Sequence, residues 1–511
     1  MINSIKAPSF LRPTSRPSSP APLPLTPRTD SVERTARPLT KLSSLGNFRR
    51  PSPAPNPPSP VAPTTLIQDG SYLETLALKL SDAASKALLQ PTGPSVTNDV
   101  VGGKRPIPAG RGKTFGAVIA SELAATRENP HLNRAIVRSL LRPLSVLLSN
   151  LSAHLLPVIS STSFLSPPAP TVATPNPNPT QLHALGLTTF ASELLEVFDE
   201  LCLGLDNDIR GDGLKVIRDG LVSIINRVVN PLVAGIKSEL LPVLDALETP
   251  NGTRTTLGAK GGIVSHPSIT ALSSLMPIYA RALSRYTSSR YAQAALAPFL
   301  ISVVWRGLVA LAYRPHMPVS RPPTPGKERS SSLTPPVTPP SARFTIKLPP
   351  SRPPSPPHAQ VPASTASDAR ALCDLLALLP CPADRESTRL ANEAIEEALT
   401  GLKSLPDLLD ALRTEQEQNM AMTEEQLERL TEELPTLVAL PVLLNAYGGQ
   451  AGCVAEMLGL SEDEYHKGCL SGFGRADECA GVVGPRLLDL MPQHDNIPTK
   501  VLDWLAAEME N

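Results

Sequence analysis

Three groups of residues in this sequence have types and spacings that could do chemistry. The first is Gly110-Arg111-Gly112-Lys113-Thr114, which ends as a phosphate-binding loop ends. Such a loop cradles phosphate oxygens on consecutive backbone N–H groups and needs a glycine five residues before Gly112. Ile107 stands there, between Pro106 and Pro108, and no strand precedes it. The segment therefore reads as a basic loop that ends at Thr114 as a helix N-cap. The second group is Asp206, Asp208 and Gly211, at positions one, three and six of a calcium loop. Arg210 and Ile217 occupy places that need oxygen ligands, so the reading is an acidic, glycine-broken turn. The third is Cys453, His466, Cys469 and Cys479, whose gaps lack the paired knuckles of structural zinc sites. These cysteines, with Cys373 and Cys381, read as small core hydrophobes. Neither HExxH nor GxSxG occurs. The sequence thus assigns no catalytic, metal or cofactor residue, and a site assembled from distant residues would be invisible to it.

The stronger signals are short recognition motifs. Pro322, Pro325 and Lys327 match PxxPx[RK], and Lys347, Pro350 and Pro353 match [RK]xxPxxP in the opposite orientation. Both suit SH3-type grooves, because the left-handed polyproline helix is preformed and a basic residue can meet an acidic patch. Ser-Pro or Thr-Pro pairs stand at Ser19, Thr26, Ser52, Ser59, Thr324, Thr334, Thr338 and Ser355. These are candidate sites for proline-directed kinases. Thr324, with Lys327 three residues on, resembles a cyclin-dependent kinase substrate. Each phosphate would add about −1.5 to −2 charge.

The elements that carry these motifs are set by composition. The chain has 511 residues, of which 58 are proline, and a net charge of zero. That zero hides a polarity. Residues 366–511 hold 10 basic and 27 acidic side chains, whereas residues 1–65 hold 9 and 2, and residues 314–365 hold 7 and 1. The two basic segments are also the proline-rich ones, with 15 and 16 prolines. They cannot bury enough apolar surface to offset chain entropy, so a disordered tail (1–65) and a disordered linker (314–365) are expected. Between them lies a helical domain (66–313) with loops at 102–113 and 166–180, and after them an acidic helical domain (366–511).

The fold class expected is all-α, two irregular helical domains joined by the linker. From Leu132 the apolar positions Ile136, Leu140, Leu144, Leu147, Leu151 and Leu155 recur at helical spacing, with kinks expected at Pro143 and Pro157. Arg134, Arg138 and Arg142 make a solvated stripe on another face. Further helices are expected at 181–205, 213–229, 231–247, 267–287 and 291–313, with Pro231 at a helix start. The acidic region predicts helices at 368–380, 386–403, 406–418, 423–447, 461–470 and 498–509. Thr423/Gln426 and Ser461/Glu464 should form capping boxes, and Pro435 and Pro441 should bend or divide their helix.

Residues 291–313 are apolar enough to span a bilayer, although Arg306 and Pro298 interrupt them. The N-terminal segment has no apolar signal core, and its prolines preclude a presequence helix. Six cysteines do not make a disulfide framework. The function expected is that of a non-enzymatic scaffold or adaptor, cytoplasmic or nuclear and not secreted. Its basic proline-rich segments would recruit partners under control of phosphorylation. Contact of 314–365 with 366–511 is expected from their opposite charge. A peripheral membrane protein using 291–313, or a helical enzyme with a dispersed site, are the alternatives. Nucleic-acid binding is disfavoured because the basic tail lacks stacking aromatics.

Overall fold

The computed structural model describes residues 65–89, 105–205, 213–249, 265–315, 364–418, 421–447, 453–493 and 497–510. Among them are fifteen α-helices and no strand. The first half contributes α1 (Thr65–Leu88), α2 (Arg111–Ala125), α3 (Pro130–Ile159), α4 (Pro179–Glu200), α5 (Lys215–Asp245), α6 (Pro267–Tyr286) and α7 (Leu296–Tyr313). The second contributes α8 (Thr365–Leu376), α9 (Arg389–Gln418), α10 (Glu424–Thr431), α11 (Thr436–Ala446), α12 (Cys453–Met457), α13 (Glu462–Cys469), α14 (Phe473–Leu490) and α15 (Thr499–Glu510).

Local signals explain several helix starts. Asn129 caps α3 by accepting from Leu132 N, with Pro130 in the first turn. Both expected capping boxes, at α10 and α13, are present. A third, Asn178 with Gln181, starts α4 two residues earlier than the periodicity suggests. The leucine stripe of α3 is buried as expected, and the helix runs unbroken past Pro143 and Pro157.

Proline proved a weaker breaker than its chemistry suggests. The helices expected at 213–229 and 231–247 are one helix, α5, with Pro231 in its interior. Those expected at 386–403 and 406–418 are likewise one helix, α9, across Pro406. An interior proline forfeits one backbone hydrogen bond and costs about 3 kcal/mol. Around Pro231, however, Val228, Val229, Leu232, Val233 and Ile236 are all buried on one stripe. Each such side chain contributes about 1.5–3 kcal/mol when removed from water, so continuity wins. Pro435 does divide its helix and caps α11, whereas Pro441 sits inside α11.

The buried side chains of 66–313 and of 366–511 belong to one continuous hydrophobic core. The described residues between 65 and 510 fall in one compact unit. The charge boundary at 314–365 thus marks a change in sequence while the helices on its two sides pack together. The cause is α7. It is apolar over most of its circumference, Ser302 and Arg306 apart, and so wide an apolar face needs more than one neighbour to cover it. Packing from α5, α9 and α11 covers it. At Gly307 an added Cβ would lie 2.7 Å from Leu372 of α8 and 3.7 Å from Leu244 of α5. Trp305 donates its indole N–H to Leu470 O at 2.8 Å and stacks at a tilt on Phe473, 4.5 Å away. By length and composition α7 could cross a membrane, and in this fold it is the central core helix.

Candidate functional site

The glycine-rich start of α2 is a filled anion site. Gly110 precedes the helix with φ 91°, a left-handed conformation that favours glycine. The Glu193 carboxylate of α4 then accepts from Gly110 N at 2.6 Å, Gly112 N at 2.9 Å and Lys113 N at 3.4 Å. A phosphate would occupy that place in a nucleotide-binding loop. Here an internal carboxylate neutralises the positive end of the helix. The expectation of a Thr114 N-cap is corrected: the helix begins at Arg111, and the Thr114 hydroxyl donates back to Gly110 O. The glycines serve close packing. A Cβ at Gly112 would stand 2.4 Å from Phe190 O, and one at Gly116 would stand 2.5 Å from Val197 Cγ2.

Three of the four zinc-pattern residues are placed as follows, the Cys453 side chain lying outside those described. The His466 ring lies edge-on to Tyr313, with centroids 4.7 Å apart, and 6.2 Å from Tyr465. Cys469 and Cys479 are neighbouring free thiols, and Cys479 Sγ lies 3.8 Å from Gly468 O. No cluster of three or more metal-ligating side chains occurs among the described residues. The calcium-like turn at 206–212 lies outside the described residues, as do the eight candidate phosphosites and both SH3-type motifs. Arg134 and Arg138 are exposed and make no ion pair among the described residues.

Two buried polar assemblies were invisible in the sequence, and both lie where the chain passes from α7 to α8. Arg314, the C-cap of α7, pairs with Asp368 of α8 at 2.6 Å, their side chains 7% and 1% exposed. The other Asp368 oxygen accepts from His266 N at 3.3 Å. The His266 ring caps α6, accepting from Ser268 N at 3.2 Å, and its Nε2 meets Thr249 O at 3.1 Å. Burial and then the Arg314 charge hold this imidazole below its ordinary pKa. Three helix ends are thereby joined by groups up to 102 residues apart in the chain. The second assembly is Tyr313, Tyr465 and His466, beside the Arg306–Asp245 pair and Glu248. Among the described residues, the two phenol hydroxyls and His466 Nε2 are buried with no partner at hydrogen-bond geometry. Burial pushes both phenols well up and His466 down, so all three are neutral near pH 7. Phenols held protonated are donors and cannot act as bases.

Two clefts complete the picture. One, of about 140 Å³, is acidic, lined by Glu424, Glu425, Glu428 and Glu508 beside Trp504. The other, of about 1100 Å³, lies between the loop before α2, the start of α4 and the end of α6. It is lined by Pro106, Pro177, Leu182 and Leu185 on one side and by Arg281 and Arg285 on the other. No family model matches the chain, no curated protein matches it, and no solved structure matches its fold.

Proposed function

We propose that this chain is a non-enzymatic scaffold. A helical body presents the basic proline-rich residues 316–363 to SH3-type or other proline-recognising domains and to proline-directed kinases, in the cytoplasm or nucleus. The observation that supports this reading is the closed base of that segment. The buried Arg314–Asp368 pair brings the chain's departure and its return to one place on the body. A segment rooted this way is an excursion from a single core, and no mechanical duty as a spacer explains its composition. Its two proline motifs and four Ser/Thr-Pro pairs are then the features that carry function.

In the resting state the segment's positive charge favours association with the acidic residues 366–511, and phosphates on Thr324, Thr334, Thr338 and Ser355 would release it. Exposed charges within about 8 Å interact at physiological salt, so this contact should weaken as ionic strength rises.

The test is affinity purification with the full chain against a chain whose residues 316–363 are replaced by a short Gly/Ser connection, with Arg314 and Asp368 kept. Loss of most partners is expected, and an unchanged partner set overturns the reading. The membrane alternative has the length and apolarity of α7 in its favour. Insertion would require withdrawing Val303, Leu308 and Leu311, which have no exposed surface, from the core.

A further inference from the structure

The 1100 Å³ cleft has a chemistry that the scaffold reading does not use. Arg281 and Arg285 stand one turn apart on the exposed face of α6, and neither makes an ion pair among the described residues. Among the described residues no carboxylate lines the cleft. Its opposite wall is apolar and rich in proline. The N-terminus of α4, where Pro177 and Pro179 flank the Asn178 cap, also faces it and adds positive potential. The neighbouring helix start at α2 already has its anion in Glu193, so a ligand's charge would fall to the arginines. Two arginines four residues apart on a helix, their Cβ atoms about 5–6 Å from each other, can bring both guanidiniums to one dianionic phosphate, each through paired N–H donors. An anion bound there would lay its attached chain along proline and leucine side chains.

The chain itself contains a segment of that chemistry. Thr334-Pro335-Pro336-Val337-Thr338-Pro339-Pro340 offers two modifiable threonines, each followed by two prolines, within the segment rooted at Arg314. That root touches the start of α6 through the bond from His266 N to Asp368. At 1.5 Å per residue, Arg281 and Arg285 lie roughly 22–28 Å up α6 from there. Extended proline-rich chain covers about 3.1 Å per residue, so the stretch from Arg314 to Thr334 can span about 60 Å. The return to Ser364 is longer still, and neither leg restrains the encounter. Tethering also raises the effective concentration into the millimolar range.

We infer that the Arg281–Arg285 cleft is a phosphate-binding site whose occupant is this chain's own residues 334–340 when phosphorylated on Thr334 or Thr338. The inference rests on the reading that proline-directed kinases modify the segment. It gives that modification a destination: phosphates that repel the segment from the acidic helices draw it to α6.

The experiment uses full-length unphosphorylated protein and a fluorescent peptide of residues 331–341 carrying phosphate on Thr334 and Thr338, read by anisotropy. The phosphopeptide should bind at least about tenfold more tightly than its unphosphorylated form. Arg281→Ala/Arg285→Ala should weaken it at least about tenfold, and Arg134→Ala/Arg138→Ala, an equal charge loss on α3, by less than about twofold. All four residues are exposed, and matched melting temperatures would show the fold intact. Equal losses in the two double variants, or no advantage of the phosphopeptide, would overturn the site. Displacement by inorganic phosphate at peptide-like concentrations, or by phosphatidylserine vesicles, would overturn the peptide as occupant. If the peptide binds as expected but mass spectrometry of protein from its native cells finds Thr334 and Thr338 unmodified, the cleft stands and the intrachain occupant falls.

Discussion

Breaking the buried ion pair at the root of residues 316–363 should be the most costly single-charge change near that root. Asp368→Asn would leave the Arg314 guanidinium unpaired with its side chain only 7% exposed. Arg314→Met would do the same to an Asp368 that is 1% exposed and, among the described residues, retains only the bond from His266 N at 3.3 Å. Removing one partner of a buried pair costs about 3–5 kcal/mol, against a total stability on the order of 5–15 kcal/mol. The double variant Arg314→Met/Asp368→Leu removes both desolvated charges. It forfeits only the acceptor for His266 N, about 1–3 kcal/mol. It should therefore be more stable than either single variant. Urea unfolding followed by tryptophan fluorescence is suited to this, because Trp305 of α7 and Trp504 of α15 are both buried. Single variants that lose less than about 1 kcal/mol would refute the burial argument. A double variant whose loss equals the sum of the two singles would refute the claim that the residues act as a pair.

Three further outcomes follow from the packing and the titrating groups. Gly112→Ala places a Cβ 2.4 Å from Phe190 O and 2.7 Å from Glu193 Cβ. It should cost about 1–3 kcal/mol, seen as a lower urea midpoint with unchanged m. His466 and His266 both have folded pKa values below the unfolded value of about 6.5. Their stabilisation is complete above that pH and is lost as pH falls, at up to about 1.4 kcal/mol per pH unit each. His466→Phe removes one share of that slope together with a buried unpartnered nitrogen, and unfolding between pH 5 and 7 would show whether the slope shrinks. Burial pushes the Glu415 carboxyl up, but hydrogen bonds from Lys500, Tyr447 and Met422 N with the Lys500 charge outweigh it, and the net shift is downward. This group stabilises above about pH 4.3 and loses that contribution on further acidification, so Lys500→Met should flatten the acid limb of a stability-against-pH curve.

The sequence by itself determined the local features: the all-α class, the buried stripe of α3, the capping boxes at Thr423 and Ser461, and the division at Pro435. Each depends on residues within a turn or two of one another, and periodicity and cap chemistry report at that range. Helices without such marks escaped it, notably α14, which carries Gly474, Gly481, Gly484 and Pro485. Tertiary structure decided whether Pro231 and Pro406 would break their helices, because the answer compares one lost hydrogen bond with apolar area buried by partners elsewhere in the chain. It decided that α2 would be capped by Glu193, about 80 residues away, where the local choice was Thr114. It decided that α7 would draw helices from both sides of the proline-rich segment into one core, since a helix apolar over most of its circumference needs more cover than its own half supplies. The Arg314–Asp368–His266 assembly and the Arg281–Arg285 cleft belong to this second kind. Charge pairing and concavity arise when distant segments meet in space, and no spacing along the chain records that meeting.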